Sequence, residues 1–427
     1  MSYSNLPSMG LTVEETAARL AVYAYVLTRT TRLLGSWASD TPEIELKIMW
    51  GRHVHQDATA VRSLQDRVDA LVHDRSLCAC QPPGPWRRWL AALGGKRSSL
   101  QKLHGMHAVV KRELLHHVQQ HIVETHRVWD APTVLVLEQI ARDLTEQAAA
   151  AAAAVQEIRV SFAPGMSAAD VEASWQHVVD AAVDDRDPQL PYPDTPARDG
   201  RFTSAGDSPP LALRDSRAVI GALHRLLMSI EIPTIEVCGR MIAEFPEMPW
   251  DFVLDMSRQS WDESRHAVLC YERILQLGGH IGQFPIDTQM WQLSHGLPLP
   301  LRLAVHQRLG EWLGVDGTMS GMLQLRHVGD LVTARSLEYV IVDEIAHVAY
   351  GNKWIHHLVH GDEAVRDLHM QAVAQRASFG LTVNGAPDLP INVHMCELSG
   401  FTPDEIRWLQ ETRLARKEPS HSGASPD

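Results

Sequence analysis

Residues 262–266 read Asp-Glu-Ser-Arg-His and residues 343–347 read Asp-Glu-Ile-Ala-His, and the spacing around these two stretches decides the fold. Glu-x-x-His alone says little, because 24 Glu and 23 His in 427 positions supply roughly 1.3 matches by chance. Four occur: Glu113/His116, Glu263/His266, Glu344/His347 and Glu418/His421. Only the second and third follow an aspartate. Only these two also have a glutamate at nearly one distance upstream, Glu231 being 32 residues before Glu263 and Glu311 33 before Glu344.

The distance has a geometric meaning. Glu231 lies 15 residues before Pro246, and Glu263 lies 14 after Pro249. Helices that climb and descend at about 1.5 Å per residue return both carboxylates to one height in an antiparallel hairpin. The midpoint of the second pair falls near Val328-Gly329, another turn signal, although Gly314, Asp316 and Gly317 interrupt the helix before it. Within each motif, positions three apart share a helix face, so Glu and His can bind one ion. Two such hairpins give four carboxylates and two imidazoles: Glu231, Glu263 and His266 with Glu311, Glu344 and His347. That is the ligand set of a dinuclear carboxylate site in a four-helix bundle, and its hard carboxylates with imidazole suit two iron ions, or iron and manganese. The competing reading is a bundle whose interior acids pair with Arg or His. It is disfavoured because six ionisable groups at one level are costly to bury without a cation.

Around these six stand weaker candidates. Asp262 and Asp343 each precede their histidine by four residues. Each is read either as accepting the ring N–H of the opposite motif's histidine, or as an ordinary helix ion pair such as Asp262 with Arg265. Glu236 is a rival first-helix ligand whose 27-residue distance to Glu263 fits the hairpin less well, so it reads as pocket wall or support. Tyr339 is read as an electron source for an oxidised centre or, more simply, as a core tyrosine.

Almost everything else reads as helix, and no segment alternates as a strand, so the class is all-α. Four helices are expected in the second half, at about 213–245, 250–277, 300–313 and 330–359. The first half carries helical periodicity over about 12–34, 42–72, 99–129 and 131–160. From 184 to 210 the text turns to Asp, Pro, Gly, Ser and Arg without periodicity. The expected organisation is an N-terminal helical domain over 1–183, a linker over 184–210, a bundle domain over 211–416 and a polar tail over 417–427. The first half has its own metal-capable residues, His53, His55, Asp57, Glu113, His116, His117, His121 and Glu124, the last five on one helix. They mark either a degenerate second site or a packing partner that shapes the substrate entrance.

Composition bounds the function. A balance of 39 basic to 52 acidic residues, net −13, disfavours broad attraction to nucleic acid or anionic lipid. One local exception runs from Gln81 to Arg112, which lacks acids and carries Arg87, Arg88, Lys96, Arg97, Lys102, Lys111 and Arg112. It reads as a solvated helix face and loop, or as a docking face for an acidic ligand or RNA. The longest near-pure apolar stretch, Ala148 to Val155, is far below the ~18 residues of a membrane helix. The first ten residues have neither a basic start nor an apolar core, and the five cysteines are odd in number and scattered, so a cytoplasmic setting is expected.

The stretch from His224 to Leu409 resembles the ferritin-like superfamily of di-iron carboxylate proteins. More specifically, it resembles a bacterial ferritin-like family long described only as a domain of unknown function. Ile230-Glu231, Ile235-Glu236, Asp262–His266, Glu311 with Gly314-Val315-Asp316, Asp343–Trp354 and Gly400-Phe401-Thr402 carry the likeness. Pro233 departs from it, standing where a polar residue is usual and beside Glu231. The resemblance implies a ferritin-like four-helix bundle that activates oxygen or peroxide at paired irons. The expected function is therefore an oxygenase or oxidase of a small organic substrate, using O2 and an electron donor. The alternatives are a non-enzymatic iron- or manganese-binding or peroxide-scavenging protein, and a di-iron hydroxylase of RNA docked at the basic segment.

Overall fold

The computed structural model describes residues 10–72, 84–95, 97–161, 165–182, 190–204, 206, 213, 215–381 and 391–417. Every regular element among them is helical. In chain order these are α1 (Val13–Asp40), α2 (Ile44–Leu71), α3 (Gly84–Leu93), α4 (Ser99–Leu103), α5 (Arg112–Glu124), α6 (Ala131–Ser161) and α7 (Ala168–Ala181). There follow α8 (Ser216–Arg225), α9 (Ile232–Glu244), α10 (Trp250–Gln276), α11 (Gln289–Ser294), α12 (Leu299–Leu303), α13 (Gly310–His327) and α14 (Leu331–Leu358). The last are α15 (Asp362–Ser378), α16 (Val393–Leu398) and α17 (Pro403–Lys417). Three wider π-helical turns, His104–Lys111, Leu226–Glu231 and Ala304–Arg308, join α4 to α5, α8 to α9, and α12 towards α13. Cys78, Cys80, Glu418, His421 and the tail after Lys417 lie outside the described residues. Of the expected linker only 190–204 and 206 fall within them, and they form turns and irregular chain.

The chain forms two compact units, one of Met1–Ala205 with Leu226–Val268, the other of Gly206–Arg225 with Leu269–Asp427. The dividing lines differ from the expected domains, since 226–268 groups with the first half. The reason is close helix crossing. A Cβ on Gly35 of α1 would stand 2.7 Å from the carbonyl oxygen of Gly239 on α9, so the two backbones touch. On α2, Gly51 leaves no room for a side chain against Ser260 and Ser264 of α10. Small residues thus let α9 and the start of α10 seat on α1 and α2.

In the first unit α1 begins at a capping box, Thr12 accepting from the Glu15 backbone N–H while Glu15 returns the bond. Its buried stripe includes Leu20, Leu27, Leu34 and Trp37, the last with its ring 5.7 Å from that of Trp50 on α2. The Lys102 ammonium lies over both indoles, at 5.6 and 5.8 Å, and donates to the Asp40 carboxylate at 2.8 Å. Lys111 is likewise buried, donating to Asp57 at 2.8 Å and to Gln147 at 2.5 Å. The basic segment is therefore not one solvated face, because two of its cations are core ion pairs.

In the second unit α13 and α14 form a hairpin turned at Gly329, whose φ of 86° is a glycine conformation. Asp330 caps α14 by accepting from the Thr333 N–H at 3.1 Å and is held by Arg273 at 2.9 Å. Helix α13 runs on through Gly314, Asp316 and Gly317 to His327, past its expected end at Leu313. Packing against α14 overrides the glycine propensity there. Gly351 of α14 is the contact point with the π-turn before α13, a Cβ on it falling 2.6 Å from Gln307 Cβ. Arg308, at the end of that turn, donates to Glu405 of α17 at 2.9 Å and also binds Asn352.

Among the described residues one helical stretch, Ser216–Glu244, is long and apolar enough to cross a membrane by length and composition. Of its most apolar window, 72% is buried inside the protein, as in a core helix.

Candidate metal centre

Glu231 closes the π-turn Leu226–Glu231 and stands two residues before Pro233 in the first turn of α9. Proline lacks an N–H and its ring crowds the carbonyl four residues back. The wider turn takes up that misfit without breaking the helix, and the Thr234 hydroxyl donates to the Ile230 carbonyl at 2.8 Å. Such π-turns gather at functional sites because they re-aim side chains.

Glu231 meets Glu263 and His266 of α10, all three about 1–2% exposed. His266 Nδ1 is 3.2 Å from Glu263 Oε2 and 3.5 Å from Glu231 Oε2. Gln259 Nε2 donates to Glu263 Oε1 at 3.3 Å, one turn back on α10. Among the described residues neither Glu231 oxygen has a hydrogen-bond donor. Burial first, and then the Glu263 carboxylate, push the Glu231 pKa well above its usual range, while His266 pulls it down. A buried acid in this state takes either a proton or a cation.

The second unit repeats the arrangement. Glu311 in the first turn of α13 meets Glu344 and His347 of α14, buried to 7%, 5% and 0% exposure. His347 Nδ1 lies 3.0 Å from Glu344 Oε2. Within each triad the candidate ligand atoms lie within 4.8 Å of one another. These buried Glu and His groups can hold a metal ion. The sequence-derived set is thus brought together in two threes, Glu231 with Glu263 and His266, and Glu311 with Glu344 and His347.

The supporting candidates fare differently. Asp262 receives Arg258 Nε on both oxygens, at 3.0 and 2.9 Å, and also pairs with Arg265, so the helix ion pair is present. Both guanidiniums stack on Trp261, which stacks on His55. Glu236 is fully buried but is held by Lys47 Nζ at 2.6 Å and by Arg198. It braces α9 against α2 rather than offering a free carboxylate. Asp343 is half-buried on α14. Tyr339 is 69% exposed, so it is neither core nor screened from water.

In the first half Asp57 is spent on Lys111, Thr30 and Gln147. Glu113 faces His117 and Glu124 pairs with Arg19 near the surface. His121 is buried against Tyr23, His53 against His107, and His116 is exposed. Among the described residues, groups of three or more convergent metal-capable side chains draw only on the six triad residues. Lys47, Arg198 and Arg376 are site neighbours that sequence reading missed. Lys47 and Arg198 pair with Glu236, and Arg376 feels the charge of Glu311, each across a long stretch of chain that no local pattern announces.

A family described as "Protein of unknown function (DUF455)" matches residues 140–407, which include all six triad residues. The chain belongs to this family. An uncharacterized protein of Haemophilus influenzae is 27% identical to this DUF455 member over 170 residues, 39% of the chain and 57% of the relative. The match thus spans little more than half the length of that relative. No solved structure matches the DUF455 chain.

Proposed function

We propose that the protein is a ferritin-like, non-haem di-iron oxidoreductase that uses O2 and an electron donor to oxidise a small organic molecule, with iron–manganese as the alternative pairing. Glu231, Glu263 and His266 would hold one ion, and Glu311, Glu344 and His347 the other. The observation that carries this reading is the duplication. Two Asp-Glu-x-x-His helices each bury their Glu and His beside a glutamate drawn from 32 or 33 residues upstream. A helical scaffold needs neither one such cluster nor two, and burying either without a cation is costly. The chemistry of the donors fits iron and manganese, as carboxylates are hard and imidazole is borderline.

When bound, paired iron supplies the one-electron and O2 chemistry that side chains lack. The protein's own part is geometric and protonic. Glu231, whose pKa burial raises, would give up its proton on taking a cation. Gln259 fixes the orientation of Glu263, and the near-complete burial of both triads keeps bulk water out. The burial of Lys102 and Lys111 supports a small substrate over RNA, since these two cations are not on the surface that a phosphate backbone would read.

The test is O2 uptake by the full chain, loaded anaerobically with Fe(II) and mixed with a reductant. Sustained, iron-dependent uptake supports the reading. Stoichiometric iron with no uptake beyond its own oxidation, or peroxide turnover without organic product, selects the iron- or manganese-binding alternative.

A further inference from the structure

Beside Glu311 the second unit buries two arginines and a histidine that belong to neither triad. Arg302 and His306 lie one turn apart on α12 and the π-turn Ala304–Arg308, and Arg376 approaches from α15. Arg376 Nη1 is 3.5 Å from the Val305 carbonyl and 3.3 Å from where a Cβ on Gly310 would stand, one residue before Glu311. Exposures are 3% for Arg302, 1% for His306 and 8% for Arg376. Neither ring nitrogen of His306 has a hydrogen-bond partner among the described residues.

We propose that Arg302, His306 and Arg376 form the oxyanion subsite of the metal centre and take a carboxylate or phosphate group of the substrate. The proposal rests on the di-metal reading for what lies next to it. The charges that bear on His306 are the two guanidiniums. Together with burial they hold its pKa down to about 3, so the ring is neutral and a metal cation there would meet two positive neighbours. An oxyanion meets the opposite situation. Guanidinium forks match its paired oxygens, and a neutral imidazole adds one N–H. Arg376 also feels the Glu311 carboxylate. Once Glu311 is committed to a cation, that guanidinium favours a further anion, and this brings the charged end of a substrate beside the metals. Small acids or phosphate esters are the substrate class this selects.

The test titrates the full-length protein with phosphate and with propionate, against chloride at equal ionic strength, in chelator-treated and iron-loaded forms. Calorimetry is expected to show one saturable site per chain, with the tighter of the two anions naming the substrate group. Arg302→Gln and His306→Gln are each expected to weaken binding about tenfold or more, as loss of a charge-assisted or buried bond does. As a check that needs no variant, the bound anion is expected to slow hydrogen exchange at C2 of His306. No saturable binding above chloride in either form would overturn the proposal, as would full affinity in both folded variants or unchanged His306 exchange. Two irons per chain without anion binding removes the subsite alone. Anion binding without iron keeps the subsite and removes the metal reading.

Discussion

Gly35 and Gly239 cross with no side chain between them, a Cβ on Gly35 falling 2.7 Å from the Gly239 carbonyl oxygen. Helix α9 continues directly from the π-turn that ends at Glu231, so this crossing on α1 fixes the height at which Glu231 sits. Adding one methyl forces the helices apart. Gly239→Ala is expected to cost about 2 kcal/mol, the scale of core overpacking, and to lower metal occupancy with it. Gly317→Ala is the contrast. That glycine lies inside α13 with nothing within 4 Å of its Cβ position, so the change is expected to stabilise by about 0.5–1 kcal/mol. Urea unfolding midpoints of the two variants read the difference.

The Lys111–Asp57 pair is buried to 2% and 1% side-chain exposure. Lys111→Met leaves the Asp57 carboxylate with Thr30 and Gln147 but without its cation, and is expected to cost about 3–5 kcal/mol. Lys111→Met with Asp57→Leu removes both charges and is expected to recover most of that loss. A double-mutant cycle by guanidinium unfolding measures the coupling.

Glu405 ties α17 to the second unit. Burial raises its pKa, but the His356 contact, the Arg308 guanidinium and the Thr402 N–H outweigh this and hold it at about 2, below the ordinary 4.5. A depressed carboxylate contributes stability that is complete above the unfolded value and is lost as pH falls through the folded one. The window therefore runs from pH 4.5 down to about 2. Glu405→Gln is expected to cost about 3 kcal/mol at neutral pH. Its stability gap from the wild type is expected to close on acidification, as thermal melts across that range would show.

Most of the second half was readable because its information is local. Asp-Glu-x-x-His places two metal-capable side chains on one face within a single turn, and the upstream glutamates follow from helix rise and the position of the Pro246–Pro249 turn. The π-turns were not readable. Over the six residues 226–231, a slightly wider helical period leaves no distinct mark on an apolar pattern. The buried lysines were also hidden, because Lys47 meets Glu236 across 189 positions and Lys111 meets Asp57 across 54. A lysine on a helix reads as solvated until such a partner is known. The core reading of Tyr339 failed for the converse reason, since an aromatic near a motif says nothing about which side of α14 it occupies.

The claim on which the rest depends is that the two triads hold two metal ions. Iron and manganese analysis of the full chain, reconstituted anaerobically and freed of loose metal, tests it most directly beside Glu231→Ala and Glu344→Ala. Two ions are expected per wild-type chain and at most about one in each variant, with a melting temperature that falls when a chelator strips the wild type. A folded wild type that retains no metal, or variants that keep both ions, would contradict it.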